Sequence, residues 1–493
     1  MSPVTESNVF TSEWSRVWTV VVAVFIMLGI NALPEPEPIT RGGELISLTA
    51  NGKTCLAVLV FAITLWVTEA IPFPVTSLFV LLLIPALGVA DYTTVIEAGF
   101  GNPLVTFFLG VLLLSVGFTQ SGLGNRLVLH VLQIVGTRTD RVLLGFLVVG
   151  ALLSMWITDM AVAALLLPLG VDVLRGAQLK PRESNFGRAL MIACAFGPLI
   201  GGIGTPAGTG SNLAALGYLR DLADLEITFL EWMTYGVPAS LLMLPVAWWL
   251  LLRLFPPEIQ RLPIGESQVI ERIRALGSLN RRELWTLVVF SLTIVVWLTT
   301  PFLAQVSDGR IDPPLQAVGL CGGLLLFLPG LRVLRWKEAQ RDMDWGGIIL
   351  IVGGLSLGVM VFETGAARWL AQIMLGRLAL VPTLLQPFVI VLLVSALHLL
   401  FSSNTVTGII VMPLLIALAQ DLNLDVWIIA APAAFTSSLA FILVTESPTN
   451  VLPYSSGYFS IRDMAKVGVP MTLAAAVCVT LSVVTVRALT AGT

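Results

Sequence analysis

The chain has 493 residues, of which 56% are hydrophobic and only 12% charged, and its mean hydropathy is +0.92. This composition lies outside the range of soluble globular proteins and excludes an ordinary soluble enzyme or nucleic-acid-binding protein. The net charge of −3, two histidines and four cysteines without motif spacing do not favour a His/Cys metal centre. We therefore expect an all-α polytopic protein of the lipid bilayer, in the cell (inner) membrane, without a bound cofactor.

Apolar runs of spanning length follow one another along most of the chain. The first lies within residues 1–50, and we expect it to be retained because the preceding residues lack the basic start of a signal peptide. The others lie at about 55–71, 75–90, 104–119, 189–203, 235–255, 284–304, 314–330, 346–362 and 466–487, with hairpin-like stretches at about 142–174 and 385–420. Together they predict about eleven transmembrane spans.

Loop charges predict the orientation of the chain. Basic residues are concentrated at 253–282 and 332–341, whereas the connection between the spans that these loops bracket carries Asp308, Arg310 and Asp312. By the positive-inside rule both basic loops face the cytoplasm and residues 303–313 face outward. The first basic loop includes a polar linker at 256–283, which contains an amphipathic run at 269–276.

The linker separates two halves that resemble each other, residues 51–255 and 284–493. Each half has a polar tripeptide inside an apolar stretch, followed at the same interval by Pro168 or Pro413: these are Thr158-Asp159-Met160 and Ser403-Asn404-Thr405. Polar groups at this depth need partners inside the membrane. Two such sites in corresponding halves predict re-entrant hairpins and discontinuous helices that meet near the bilayer midplane, as in secondary transporters.

Each half also contains a predicted broken helix, at about 189–217 and 425–458. Residues 201–210 read Gly-Gly-Ile-Gly-Thr-Pro-Ala-Gly-Thr-Gly, which cannot form a continuous helix. We expect the second helix to break at Pro448, within residues 445–450. Unwound backbone at membrane depth is tolerated where it lines a cavity or is buried in protein. External loops between ordinary spans are the alternative interpretation.

Several motifs together resemble the divalent anion/sodium symporter family, which carries di- and tricarboxylates or sulfate. Residues 66–76 read Trp-Val-Thr-Glu-Ala-Ile-Pro-Phe-Pro-Val-Thr, which resembles a signature of that family. Residues 208–212 and 447–450 are similar to its two substrate-loop signatures, and residues 403–405 retain its Ser-Asn-Thr motif. The resemblance covers about residues 50–490.

This resemblance implies an inverted-repeat elevator transporter, usually a homodimer, that binds a small anion together with a coupling ion. Carried over by motif position, the residues implied in substrate binding are Thr158, Asp159, Thr209, Ser403, Asn404, Thr405, Ser447 and Pro448. One cation or proton site would involve Ser154, Thr158, Asp159 and Gly208, and another Ser402, Asn404 and Glu446. Na⁺ is therefore expected near Ser154, Asp159, Gly208 and Asn404.

The chain departs from the family pattern at its first motif. Asp159 stands where the family has an amide, Met160 where it has a hydroxyl, and Glu446 where a small residue is common. A charge on an anion about 4 Å from an ionised Asp159 would be repelled by roughly 4 kcal/mol at an effective dielectric of ~20. Either Na⁺ bound by oxygen ligands or a proton on the carboxylate must therefore neutralise Asp159.

Other interpretations of these residues stay open. Asp159 and Glu446 could be structural acids, Glu69 an interfacial structural residue, His398 a packed neutral histidine, and Asn212 and Asn450 helix anchors. The leading functional interpretation is transport of a di- or tricarboxylate coupled to Na⁺ or H⁺. Anion exchange without cation coupling, and transport of sulfate, another small anion or a zwitterion, are alternatives. An intramembrane enzyme is disfavoured because Asn404 stands where a second aspartate would be needed.

Overall fold

A computed structural model of the chain describes residues 6–41, 44–263 and 274–490. Its helices lie in the following order up to the linker: α1 (Glu6–Ala32), α2 (Ala50–Thr68), α3 (Phe73–Ala86), α4 (Tyr92–Gly99), α5 (Pro103–Ser121), α6 (Leu123–Val135), α7 (Thr139–Ser154), α8 (Asp159–Gly176), α9 (Asn185–Gly202), α10 (Gly210–Ala223) and α11 (Phe229–Leu254). A short antiparallel hairpin, β1 (Ile39–Arg41) and β2 (Glu44–Ile46), pairs Ile39 with Ile46 and is an addition to the predicted all-α fold.

After the linker the described helices are α12 (Arg281–Val306), α13 (Leu315–Leu325), α14 (Trp336–Asp342), α15 (Trp345–Glu363), α16 (Ala366–Leu375), α17 (Gln386–His398), α18 (Asn404–Asp421), α19 (Val426–Thr436), α20 (Pro448–Tyr454) and α21 (Ile461–Thr490). Residues 264–273, with most of the amphipathic run predicted at 269–276, lie outside the described residues.

Polar side chains define where many of these helices begin. The Thr49 hydroxyl accepts from the Gly52 amide at 3.0 Å at the start of α2, and Asn280 and Glu283 form a reciprocal capping box at the start of α12. Such caps satisfy amide groups that have no partner within the helix. The sequence therefore sets helix starts locally, whereas packing selects which apolar faces are buried.

Within the described residues, eight helices are long and apolar enough to cross a membrane, or up to nine if a bent pair around residues 366–398 counts as one span. The prediction of a multi-pass helical membrane protein is thus confirmed. The total of about eleven spans stays a prediction, because several helices of the site are shorter than a bilayer is thick.

Close helix contacts hold the first helix pair against the first broken helix. An ideal Cβ on Gly201 of α9 would lie 2.0 Å from the carbonyl oxygen of Ala151 on α7, so only glycine permits this approach. Small residues commonly allow such close packing of helices in membranes. This contact fixes the tip of α7 beside the end of α9.

The structure corrects the predicted position of the second break. Helix α19 ends at Thr436, a short 3₁₀ turn runs from Val444 to Glu446, and Pro448 is the first residue of α20. The break therefore spans residues 437–447, and Pro448 starts a helix where it was expected to interrupt one. Proline suits a first helical position because its missing N–H would have no helical partner there. The first break, residues 203–209, lies where it was predicted.

Candidate functional site at the two helix-pair tips

Both polar tripeptides lie at the turn between two antiparallel helices. Residues 155–158 connect α7 to α8, and residues 399–403 connect α17 to α18. Thr158 is the N-cap of α8 without a side-chain capping bond, whereas the Ser403 hydroxyl caps α18 by accepting from the Val406 amide at 3.5 Å. The first residues of α8 and α18 are therefore Asp159 and Asn404.

Asp159 and Asn404 contact each other directly. The Asn404 side-chain amide donates to Asp159 Oδ2 at 3.0 Å, and the Met160 backbone amide donates to Asp159 Oδ1 at 2.8 Å. Both side chains are 8% exposed, and the Thr449 side chain lies near the same carboxylate. Asn404 Oδ1 is buried without a hydrogen-bond partner in the described part of the chain. The two helix-pair tips thus meet at one buried carboxylate.

The two broken helices are held in the same way by matching asparagines. The Asn212 amide donates to the carbonyl oxygens of Gly202 and Thr205, both at 2.8 Å. The Asn450 amide donates to those of Ala440 and Leu443 at 2.7 and 3.1 Å. In both cases the acceptors lie ten and seven residues earlier in the chain. Each asparagine therefore holds the unwound backbone of its broken helix in place, which agrees with the interpretation of Asn212 and Asn450 as helix anchors.

Three buried hydroxyls join the two breaks to each other. Thr209 Oγ1 lies 2.9 Å from Ser211 Oγ and 2.8 Å from Ser438 Oγ, and the two serine oxygens are 2.5 Å apart. Sequence reasoning singled out Thr209 but missed Ser438. Its signal was the run of three hydroxyl residues, Thr436 to Ser438, inside an otherwise apolar stretch.

The N-terminus of α10 closely approaches that of α18. An ideal Cβ on Gly210 would lie 2.6 Å from Thr405 Oγ1, so the two helix starts are in contact. Because α8 and α18 meet through Asp159 and Asn404, three helix N-termini come together here. Helix N-termini carry partial positive charge and free N–H groups, which suit an anion.

Oxygen atoms converge around Gly208 in the first break. An ideal Cβ on Gly208 would lie 2.2 Å from the carbonyl oxygen of Gly202 and 2.7 Å from that of Ser154. The Ser154 side chain is fully buried, and its hydroxyl has no hydrogen-bond partner in the described part of the chain. These groups, with Asp159 across the turn, are hard oxygen donors of the type that Na⁺ prefers.

The residues of the second predicted cation set form hydrogen bonds with different partners. The Ser402 hydroxyl donates to the carboxylate of Glu69 at the end of α2, and Asn404 donates to Asp159. Glu446 accepts from the amides of Ile442 and Leu443 at 3.2 and 2.8 Å. Each of the three residues thus has a different hydrogen-bond partner, and a cation site shared by Ser402, Asn404 and Glu446 stays a prediction.

The other residues that the sequence singled out differ in burial and in hydrogen bonding. Ser447 is buried and caps α20 by accepting from the Thr449 amide at 3.3 Å, while the ring of Pro448 is exposed. His398 is 1% exposed, and neither ring nitrogen has a hydrogen-bond partner in the described residues. Glu69, expected to be an interfacial structural residue, is exposed at the end of α2 and accepts a hydrogen bond from Ser402 of the second helix-pair tip.

The first tip is held by stacked aromatic rings. Trp156, in the turn, stacks on Phe229 of α11 with ring centroids 6.0 Å apart, and Phe229 stacks on Trp297 of α12 at 4.7 Å. Phe229 and Trp297 also line a cavity of ≈ 250 Å³ next to Arg220 and Asp312, and this cavity contains none of the predicted site residues. Each tip thus contacts a helix outside its own pair.

Apolar helices with paired turns, unwound breaks and converging helix starts define a multi-pass membrane transporter and not an enzyme. The sodium:sulfate symporter transmembrane-region model matches residues 14–489, so the chain belongs to this family. It is 31% identical over 461 residues to the sodium-dependent dicarboxylate transporter SdcS of Staphylococcus saprophyticus, covering 89% of this chain and 86% of that protein. It is 29% identical over 455 residues to SdcS of Staphylococcus aureus strain USA300, with coverages of 88% and 85%. The family confirms the predicted location in the cell membrane.

Two solved structures have a similar fold. The YdaH transporter of Alcanivorax borkumensis has a TM-score of 0.57 at 14% identity, covering 96% of this chain and 97% of its own. MtrF of Neisseria gonorrhoeae, described among antimetabolite efflux pumps, has a TM-score of 0.52 at 14% identity, with coverages of 96% and 94%. At this identity the similarity concerns the fold alone.

Proposed function

We propose that the protein is a secondary active transporter that moves a small dicarboxylate across the membrane together with Na⁺. The observation that carries the proposal is the Asp159 carboxylate, bound by the Asn404 amide and a helix N-terminal amide where two helix-pair tips meet. The site thus already holds one carboxylate with donors of the type that a substrate carboxylate needs. The SdcS relatives are sodium-dependent dicarboxylate transporters, which supports the same substrate class for this chain.

The donors for a substrate lie next to Asp159. The N-termini of α8, α10 and α18 supply backbone amides and favourable dipoles, and Asn404 supplies a side-chain amide. Thr405 and Thr209 border the same contact between α10 and α18. A four-carbon dicarboxylate would therefore find donors for both ends without a basic side chain.

Neutralisation of Asp159 is the condition for anion binding. Repulsion between an ionised Asp159 and one substrate charge at about 4 Å costs roughly 4 kcal/mol at an effective dielectric of ~20. The carbonyls of Ser154 and Gly202 converge at Gly208, the Ser154 hydroxyl, which has no hydrogen-bond partner in the described residues, belongs to the same turn, and the Asp159 carboxylate follows five residues later. All are oxygen donors that suit Na⁺, which supplies one positive charge when bound. In this proposal these residues hold the ion so that the substrate carboxylate can enter. Proton coupling is the alternative that the experiments must separate.

The architecture of the proposal is an inverted repeat with an elevator movement, in a homodimer, as the sequence resemblance implies. The matching Asn212 and Asn450 contacts support duplicated halves divided by the 256–283 linker. Trp156 stacks on Phe229 of α11, and Ser402 donates to Glu69 at the end of α2, so each tip contacts a helix outside the pairs. Under an elevator movement these would be the contacts that change.

The proposal is tested with purified protein in liposomes. Uptake of ¹⁴C-succinate is measured with an inward Na⁺ gradient, with K⁺ or choline replacing Na⁺, and with an inward proton gradient. We expect accumulation above equilibrium only with the Na⁺ gradient, and competition by unlabelled dicarboxylates stronger than by sulfate or citrate.

Other outcomes would select another function. Succinate uptake that depends on internal dicarboxylate and not on a Na⁺ gradient would indicate an exchanger. Accumulation driven by a proton gradient without Na⁺ would indicate H⁺ coupling. No uptake of succinate, but uptake of sulfate, would reject the dicarboxylate substrate.

A further inference from the structure

We infer that the two halves are unequal in cation binding, so that the transporter binds one Na⁺ per chain, in the first half, and no second Na⁺ at the equivalent place in the second half. The inference rests on the proposed function for the identity of the ion. It is carried by two pairs of corresponding positions at which the halves differ, Ser154 with Leu399 and Gly208 with Glu446.

Backbone geometry establishes which positions correspond. Thr209 and Ser447 are N-caps with nearly identical φ and ψ, −147° and 156° against −150° and 141°. Asn212 and Asn450 follow three residues later with the same spacing to their carbonyl acceptors. Gly208 therefore corresponds to Glu446. In the helix-pair tips, Thr158 and Ser403 are the N-caps, so Ser154 corresponds to Leu399.

The first half presents a buried hydroxyl beside several backbone carbonyl oxygens. The buried Ser154 hydroxyl lacks a hydrogen-bond partner in the described part of the chain. The ideal Cβ of Gly202 would lie 3.5 Å from this hydroxyl and 3.7 Å from the Gly208 carbonyl oxygen, so these groups surround one small space. Because Gly208 has no side chain, the carbonyls of Ser154 and Gly202 approach its Cα closely.

The second half lacks this set. Leu399 replaces the serine, has no oxygen in its side chain and is 39% exposed. Glu446 replaces the glycine, and its carboxylate is turned back to cap the amides of Ile442 and Leu443. The Ser402 hydroxyl donates a hydrogen bond to the Glu69 carboxylate. The groups that would form a second cation site are thus missing or bound elsewhere.

Asn404 belongs to the second half of the chain but contacts Asp159 of the first half. Its amide nitrogen is bonded to Asp159, and its Oδ1 is buried and has no hydrogen-bond partner in the described residues. An amide oxygen cannot donate to a substrate carboxylate, but it can bind a cation. Its free oxygen therefore adds to the cation-binding capacity beside Asp159.

The net charge that crosses the membrane in each transport cycle depends on the number of Na⁺ ions and can be tested. If one Na⁺ accompanies a doubly charged succinate, each cycle moves one net negative charge inward, because Asp159 remains with the protein. An inside-negative potential, set with K⁺ and valinomycin, should then slow uptake. Two Na⁺ would make uptake insensitive to the potential, and three would accelerate it.

The number of ions is also counted directly. Initial rates of ²²Na⁺ and ¹⁴C-succinate uptake should be equal, and the Na⁺ dependence should have a Hill coefficient near one. Saturable ²²Na⁺ binding to the purified protein should reach one ion per chain. Two or more ions per chain, or none, would overturn the inference. If one ion binds but succinate is not transported, the inference stands and the proposed substrate fails.

A matched pair of variants locates the ion. Ser154→Ala and Ser402→Ala each remove one serine hydroxyl, the first from the tip that holds the proposed ion and the second from the other tip. Ser154→Ala should raise the Na⁺ concentration for half-maximal binding about tenfold or more, the range found when metal-site groups are removed. Ser402→Ala should leave that concentration unchanged. Equal increases in both variants, or an increase only in Ser402→Ala, would contradict the inference.

Discussion

The amide of Asn404 donates a hydrogen bond to Asp159 Oδ2 at 3.0 Å, across 245 positions of the chain. This bond connects the first residue of α18 to the first residue of α8, and both side chains are almost completely buried. Under the proposed function, a substrate carboxylate that enters between the tips would share or replace this bond. The pair would then couple anion binding to the neutralisation of Asp159.

We expect Asn404→Ala to abolish succinate uptake, because the variant loses an amide donor for the substrate and the partner of Asp159. The measurement is uptake in liposomes, with the melting temperature in detergent as the test of folding. Thr407→Ala, a buried truncation on the same helix whose hydroxyl donates to the backbone carbonyl of Ser403 at 3.1 Å, is the control and should retain uptake. Normal uptake by Asn404→Ala would remove the second tip from the site.

The asparagines of the broken helices should affect stability. In Asn212→Ala and Asn450→Ala, two buried carbonyl groups each lose a donor, which costs about 1–3 kcal/mol per unsatisfied group. Both variants should therefore melt at lower temperature than Asn404→Ala. Thermal unfolding in detergent measures this difference. If either variant melted like the wild type, its break would not depend on the asparagine bridge.

The sequence predicts those parts of the site that depend on neighbouring residues, but not the contacts between segments that are distant in the chain. The tripeptides stand out because their polar residues interrupt apolar runs. The break at residues 201–210 is predicted because clustered glycines and a proline disfavour a continuous helix. Pro448 was misplaced because a proline in a sequence can either interrupt a helix or occupy its first turn. The contacts Asn404 with Asp159 and Ser402 with Glu69 depend on how distant segments pack, and no local pattern specifies them.

A buried ion pair fixes helix α6 to the start of α12. Arg126 donates to Glu283 at 3.1 and 3.0 Å and also to the carbonyls of Leu276, Gly277 and Ser278. Removing one partner of a buried pair typically costs about 3–5 kcal/mol. Arg126→Ala should lower the melting temperature strongly, and Arg126→Lys should rescue it only in part because lysine lacks the guanidinium fork.

The matched control for that ion pair is Arg138→Ala. Arg138 pairs with Asp140 at 2.8 Å, but its side chain is 53% exposed. Exposed pairs contribute only about 0–1 kcal/mol. Equal losses of melting temperature in Arg126→Ala and Arg138→Ala would show that burial of the first pair does not determine its contribution.

The orientation of the chain can be tested with single cysteines. Arg282 and Glu338 lie 3.6 Å apart, so the two basic loops occupy the same end of the molecule, and Asp308 lies in the loop that connects the opposite ends of α12 and α13. In a background with Cys321→Ser, Lys337→Cys should react with a membrane-impermeant maleimide only after the cytoplasmic face is opened. Asp308→Cys should react in intact cells. Labelling of both from the same side would contradict the predicted topology.

Asp159→Asn separates the two ways of neutralising the site. If Na⁺ binds at Asp159, an amide keeps an oxygen ligand but loses the charge, so Na⁺-driven uptake should persist with a higher half-maximal Na⁺ concentration. If a proton binds there, the variant should lose accumulation driven by a proton gradient and become insensitive to pH, while counterflow exchange survives. Asp172→Asn, an exposed carboxylate on the same helix, is the control and should change neither dependence. Wild-type dependence on both Na⁺ and pH in Asp159→Asn would instead make Asp159 a structural acid that holds the two tips together through Asn404, and anion exchange would become the better account of the protein.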